Sequence, residues 1–348
     1  AATLRVSSVS SPAISDTVTL TTTAVGDIAY VALSSSNQVA LVDTATHASL
    51  GTVDVGAAGC NYPWQAAMTP DGAYVYVSCY NSGNVTVIET TGNTVLTTVN
   101  GIYSADGIAF TQDGSYALVG SRWGNQVAVI DTSTYSITTL ISTPGYARSV
   151  AAHPYSNLAY ITSSDGSIQV MDTKTFSILD SIYLGWEPWD VTVSPDGLWV
   201  FSGGRWGDGL AVIDATNNSL YTMVTGLGNL TGLDVSPDGS KLYAAGLWNG
   251  VYVIDGTSFT YETTIDNVGN AWELAVTCDG SELFVGNTTD QLPTIDTSTY
   301  SITVETLPGW GSRGIAICPQ YVANGVLLSP AEQPAQGGRG EVVAYQES

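Results

Sequence analysis

One phrase, an apolar run ending in a pattern close to "VxVIDTxT", returns seven times along this chain at intervals of 41 to 46 residues. That periodicity limits the fold more than any other feature of the sequence. The copies read "NQVALVDTATH", "GNVTVIETTGN", "NQVAVIDTSTY", "GSIQVMDTKTF", "DGLAVIDATNN", "NGVYVIDGTSF" and "DQLPTIDTSTY". A second phrase precedes each of them, of the type "DVTVSPDGLWVFSGG", with variants such as "QAAMTPDGAYVYVSC", "GIAFTQDGSYALVGS" and "ELAVTCDGSELFVGN". Apolar and polar residues alternate over four short segments in each copy, turn residues separate the segments, and no stretch has helical periodicity. Four strands per copy and seven copies predict an all-β chain, a seven-bladed β-propeller of four-stranded blades spanning 27–322. Eight segments compete for the seven innermost positions, because "DTVTLTTT" and "RGIAICPQ" both qualify. The second matches its siblings better, so the C-terminal strand is expected to close the first blade beside N-terminal strands. Residues 1–26 then form an arm or edge strand.

The stretches "AYVALSSSNQVALVDTATHASLGTVDVG" and "VSPDGSKLYAAGLWNGVYVID" resemble the YVTN-type β-propeller repeat of bacterial and archaeal surface-layer and other secreted proteins. The resemblance covers roughly residues 27 to 320. It implies a propeller exposed outside the cell, in a superfamily that includes adhesins, lactonases, lyases and cofactor-bearing oxidoreductases, so function has to be argued from the site. The tail, residues 323–348, breaks the repeat. Its "VLLSPAEQPAQGGRGEVVAY" is similar to the first strands of an immunoglobulin-like module.

Charge narrows the partners. Lys and Arg total 8 against 31 acids, a net charge of -23, which argues against nucleic acid and against insertion into or binding to anionic membranes. No apolar run is long enough to span a bilayer as a helix. The start, "AATLRVSSVSSP", reads as a mature N-terminus after removal of a secretory signal. Sequons at Asn84, Asn217, Asn229 and Asn287 fit an extracellular or cell-surface setting. So do four cysteines, expected to pair as Cys60 with Cys79 within one repeat and Cys278 with Cys318 across the closure.

In a propeller, the loops leading into each innermost strand share a face with the loops joining the second strand to the third. Leading loops hold Trp64, Trp186, Trp189, Trp272 and Trp310, and second-to-third loops hold Trp123, Trp206 and Trp248, eight of the nine tryptophans. Arg122, Arg148, Arg205 and Arg313, four of the six arginines, fall in the same loops with Tyr62, Tyr103 and Tyr146. The phrase Arg-Trp-Gly occurs twice, at 122–124 and 205–207. Aligning the repeats puts Trp64, Asp106, Arg148, Trp189, Thr231, Trp272 and Arg313 at the channel mouth, one per blade. The next residue inward is Gln65, Gly107, Ser149, Asp190, Gly232, Glu273 and Gly314.

Indoles with a polar tip beside planar guanidiniums suit a glycan or a protein segment, and the same side chains also serve as wedges between blades. The reading is therefore an extracellular binding or scaffold propeller, an adhesion or surface-layer component, more a binder than an enzyme. A carbohydrate- or lactone-active enzyme would use Asp106, Asp190, Glu273, Arg148 and Arg313, with Asp190 and Glu273 as an acid pair. A purely structural subunit of a filament or lattice would self-assemble through the arm and the tail. His47 and His153 both fall on the opposite face, too few and misplaced for a His-rich metal or haem site, so no cofactor is expected, with calcium among the loop carboxylates left open.

Overall fold

The computed structural model describes residues 28–207 and 209–319, together with the backbone of short strands at Ala2–Ser7, Ser15–Leu20, Val322–Ala323 and Val326–Leu327. The repeats fold into seven four-stranded antiparallel sheets, six of them in simple meander order from the channel outward and the seventh with a C-terminal strand innermost. The chain is a seven-bladed β-propeller, as its periodicity requires.

Blade 1 is composite. Its innermost strand, Ser312–Ala316, pairs with Ile28–Leu33, followed by Gln38–Asp43 and Ser49–Asp54. Blades 2 to 7 begin with innermost strands Pro63–Met68, Ala105–Phe110, Ala147–Ala152, Asp190–Val193, Leu230–Val235 and Glu273–Val276. The closing strand is thus the C-terminal one. Strands Ala2–Ser7 and Ser15–Leu20 pair with each other in a separate two-stranded sheet. The expected immunoglobulin-like tail lies almost wholly outside the described residues.

The second and third strands of the blades are near-continuous apolar runs buried on both faces, as in Ile28–Leu33, Gln38–Asp43, Tyr116–Ser121 and Gln126–Asp131, so each sheet packs between its neighbours. Tyr76 of blade 2 meets Phe110 of blade 3 edge to face, with ring centroids 5.0 Å apart. Buried tyrosines reach a blade further along, Tyr30 donating to Asn93 at 2.5 Å and Tyr160 to Asn218 at 2.9 Å. The "DTxTY" turns work the same way. The Asp131 carboxylate accepts the N–H groups of Ser133 and Thr134 at 2.9 Å, and the fifth residue, Tyr135, turns into the left-handed region at φ 53°. That places Tyr135 against Tyr74 of blade 2, as Phe176 lies against Tyr116 of blade 3 and Phe259 against Trp199 of blade 5.

Closure is fastened twice. Cys278 of blade 7 is bonded to Cys318, just past the closing strand, and His47 of blade 1 meets Glu282 of blade 7 at 2.9 Å. The other disulfide, Cys60–Cys79, lies within blade 2. Among the described residues no helix is long and apolar enough to cross a membrane. Two of the expected glycosylation sites are corrected. Asn84 and Asn287 are buried at 3% and 2% exposure, and the Asn84 amide donates to the Gly59 carbonyl, so neither offers its nitrogen to a transferase in the folded chain, whereas Asn217 is exposed and Asn229 partly so.

Candidate functional site

All four arginines of the blades, Arg122, Arg148, Arg205 and Arg313, reach the loop face, and the tryptophans there order them. Trp189, only 8% exposed, is the centre: Arg148 stacks on its ring at 3.6 Å, with Arg122 at 5.1 Å and Arg205 at 5.0 Å. Arg122 and Arg205 belong to the two Arg-Trp-Gly loops, in blades 3 and 5. The repeated phrase therefore does one job twice, bringing a guanidinium to the same indole from two blades. Each also lies near its own neighbouring ring, Arg122 over Trp123 at 5.5 Å and Arg205 over Trp206 at 5.3 Å. Arg313 completes the mouth, 4.1 Å over Trp272 and 5.0 Å over Trp64.

Trp64, Trp189, Trp272 and Leu247 pack together, with the two indole pairs edge to face at 5.6 and 6.0 Å, and fill the mouth of the channel. These three tryptophans plug the propeller. Trp186 is a wedge: a Cβ at Gly204 or Gly207 would run into its indole, which is why its partner loop carries a glycine on each side of Arg205-Trp206. Outside the plug, Tyr103, Trp123, Trp206, Trp248 and Trp310 are between 46% and 69% exposed. Tyr146 packs edge to face on Trp123 at 4.6 Å. Tyr62 stacks on Trp64 at 5.8 Å. Tyr80, which sequence reading passed over, joins this cluster and accepts the Trp123 Nε1–H at 2.6 Å. Its only signal is its place in a second-to-third loop.

Asp190, Asp234 and Glu273 sit below the plug, while Asp106 lies in the mouth layer beside Trp64 and Arg148. Asp190 accepts from Ser149 Oγ at 2.6 Å and from the Leu233 backbone N–H at 2.7 Å, so one carboxylate ties blades 4, 5 and 6. Asp234 does the same for blades 6 and 7 through Val276 N–H at 2.8 Å. Sequence reading missed Asp234, although its counterparts in the other repeats are Ala or Thr, so a charge there was the signal. Burial raises all four channel acids: Asp106 and Asp190 to about 6, Asp234 to about 7, and Glu273 well above its ordinary range, where the Asp190 charge adds to the effect. Asp106 lies 4.0 Å from Arg122, and Glu187 pairs with Arg148 at 2.8 Å.

Beneath this layer the channel widens into a cavity of about 300 Å³ that opens to the turn face and is lined by Gln65, Ser149, Asp190, Asp234 and Glu273. His153 accepts the Tyr155 backbone N–H through Nδ1 at 3.0 Å, and burial lowers its pKa. No group of three or more His, Cys, Asp or Glu side chains among the described residues is arranged to hold a metal ion.

Comparison with known proteins supports the fold broadly. The profile of a family described as "Cytochrome D1 heme domain" matches residues 23–154, less than half of the chain. Among solved structures, a functionally unknown protein from Desulfotomaculum acetoxidans superposes with a TM-score of 0.72 at 20% identity, over 84% of this chain and 99% of that one. Hydrazine synthase from Kuenenia stuttgartiensis superposes with a TM-score of 0.62, also at 20% identity, over 68% of this chain and 77% of that one. No curated protein sequence matches. At this identity the structural likeness is one of fold. The expectation of no cofactor beyond calcium is corrected by the family match, since the matching family is described as a haem domain.

Proposed function

We propose that this propeller is an extracellular binding module whose loop face takes a saccharide chain, within the YVTN-type group of surface and adhesion proteins. The observation that carries the reading is the division of labour among the tryptophans: Trp64, Trp189 and Trp272 fill the mouth, while Trp123, Trp206, Trp248 and Trp310 are left exposed above it. Large exposed indoles are costly in water, and several on one face of a soluble domain mark a contact surface. Flat indole faces suit the C–H faces of sugar rings, and the polar tips around them suit hydroxyls. Two disulfides favour an oxidising compartment outside the cytosol.

The enzyme reading is less well supported. Asp190 has both carboxylate oxygens engaged by Ser149 and Leu233, and Asp190 and Glu273 lie between the lower cavity and the packed mouth indoles, beneath the exposed aromatics. The family match favours a haem reading, which the described histidines and cysteines do not serve: His47 is held by Glu282 and Thr303 far from the channel, His153 does not line the cavity, and all four cysteines are in disulfides. The side chains of a haem-ligating type that do line the cavity are Met68 and Tyr155. The mouth on the other side is filled by three indoles.

A glycan array on the purified chain, with Trp206→Ala/Trp248→Ala as control, tests the proposal. Binding that the double variant loses by tenfold or more supports it. Binding that survives in the variant, or no binding to any glycan, sinks it.

A further inference from the structure

We propose that the ligand of the loop face is an acidic saccharide, and that Arg205 and Arg313 receive the carboxylate of a uronic acid residue. This rests on the saccharide reading above and adds its chemical class.

A chain of net charge -23 has placed all four arginines of its blades around one channel mouth. Arginines gathered for structure alone are normally neutralised by carboxylates. Here only two have one: Arg148 with Glu187 at 2.8 Å, and Arg122 with Asp106 at a long 4.0 Å. Arg205 and Arg313 have no ion pair among the described residues. Burial is the main cause that lowers the Arg313 pKa; a side-chain hydrogen bond with Tyr62 works against it, and the Arg205 charge lowers it further by a smaller amount. Arg148 is likewise held below its ordinary value, by burial first and then by Arg122. The mouth thus concentrates like charge with too few counter-ions.

The donors are also incomplete. Arg122 Nε, Arg148 Nη1, Arg205 Nε, and Arg313 Nε and Nη1 are buried without an acceptor, and Arg148 as a whole is only 7% exposed. A buried N–H of a charged group left unpaired is costly, so a cluster of five in one place indicates an acceptor that arrives with a ligand. Stacking on Trp189 and Trp272 fixes the guanidinium planes through their faces and leaves edge N–H groups without acceptors, apart from the Arg313 donor engaged by Tyr62; a planar carboxylate entering the mouth would meet them in a two-oxygen fork. The exposed indoles beside them supply the sugar contacts. At physiological salt, charges beyond about 8 Å are largely screened, so the acidic remainder of the surface does not repel a short oligomer from this patch.

The test is calorimetric titration of the full chain with trimers of galacturonate, glucuronate and mannuronate, each beside its methyl ester and beside a neutral trisaccharide. The expected result is binding of at least one uronate trimer, tenfold or more weaker as the ester. Arg205→Gln should lose that binding while its Tm stays level or rises, because an unpaired like charge has been removed. Arg205→Lys keeps the charge without the fork and should bind more weakly than the native chain. Equal binding of acid, ester and neutral sugar overturns the carboxylate and leaves the saccharide face standing. Absence of binding to every sugar overturns both. Undiminished binding by both Arg205 variants overturns the assignment to this arginine pair.

Discussion

At the scale of single residues, Trp189 holds the mouth together. Its ring takes three guanidiniums and abuts Trp272, so Trp189→Ala removes a buried indole and leaves three cations without their platform. We expect a loss of about 3–5 kcal/mol in chemical denaturation, the usual range for truncating a buried large aromatic. A loss below about 1 kcal/mol would show that the plug is not a structural unit. Asp234 makes a sharper case. Burial raises its pKa to about 7 in the folded chain, against 3.8 ordinarily, so the folded state holds a proton that the unfolded state releases between those values. Its contribution is complete below about pH 4 and is lost as pH rises through 7. Asp234→Asn keeps an acceptor for Val276 N–H, and its stability relative to the native chain should improve steadily from pH 5 to pH 8. A difference that does not change with pH would contradict the assignment.

At the scale of elements, closure is where a ring of blades opens. The disulfides span 19 residues within blade 2 and 40 residues between blades 7 and 1. Each is worth about 2–4 kcal/mol by the usual accounting, with the longer loop gaining slightly more. The greater difference is in which contacts are released. Cys278→Ser/Cys318→Ser should lower Tm more than Cys60→Ser/Cys79→Ser, and should speed hydrogen exchange in Ile28–Leu33 before other strands. Equal effects would mean that the blade 1 ladder closes the ring unaided. Gly204→Ala drives a methyl into the Trp186 indole, with overpacking of about 1–3 kcal/mol, read as a lower denaturation midpoint.

Over the whole molecule, two groups of acids oppose each other. The channel carboxyls Asp106, Asp190, Asp234 and Glu273 favour the folded state when protonated, so stability falls as pH rises through about 6 to 7. The turn aspartates run the other way. Hydroxyl and backbone N–H donors lower Asp43, Asp131, Asp214 and Asp296, the last to about 2, so their contribution is present above about pH 4 and lost in stronger acid. The Tm should peak near pH 4 to 5 and decline towards pH 8; a maximum at pH 7 or above would contradict the channel assignment.

The fold was legible because a repeat shows its strands seven times, and because the closing strand matched its siblings. Both cysteine pairs were legible from the blade positions of Cys60, Cys79, Cys278 and Cys318. The alignment also put Asp190 and Glu273 one layer inward of Trp189 and Trp272; what sequence hid was that Trp64, Trp189 and Trp272 pack on one another across the mouth above those acids. It also hid the sharing of Trp189 between two Arg-Trp-Gly loops, since only the curvature of the ring brings blades 3 and 5 to one point.

The measurement that bears most directly on the central claim is hydrogen exchange of the chain with and without a glycan selected by array. Protection should gather in the loop-face segments around 102–104, 121–126, 203–207, 246–250 and 308–312. Protection confined to the turn face, around the cavity lined by Asp234 and Glu273, would place binding on the other side of the propeller and contradict the account.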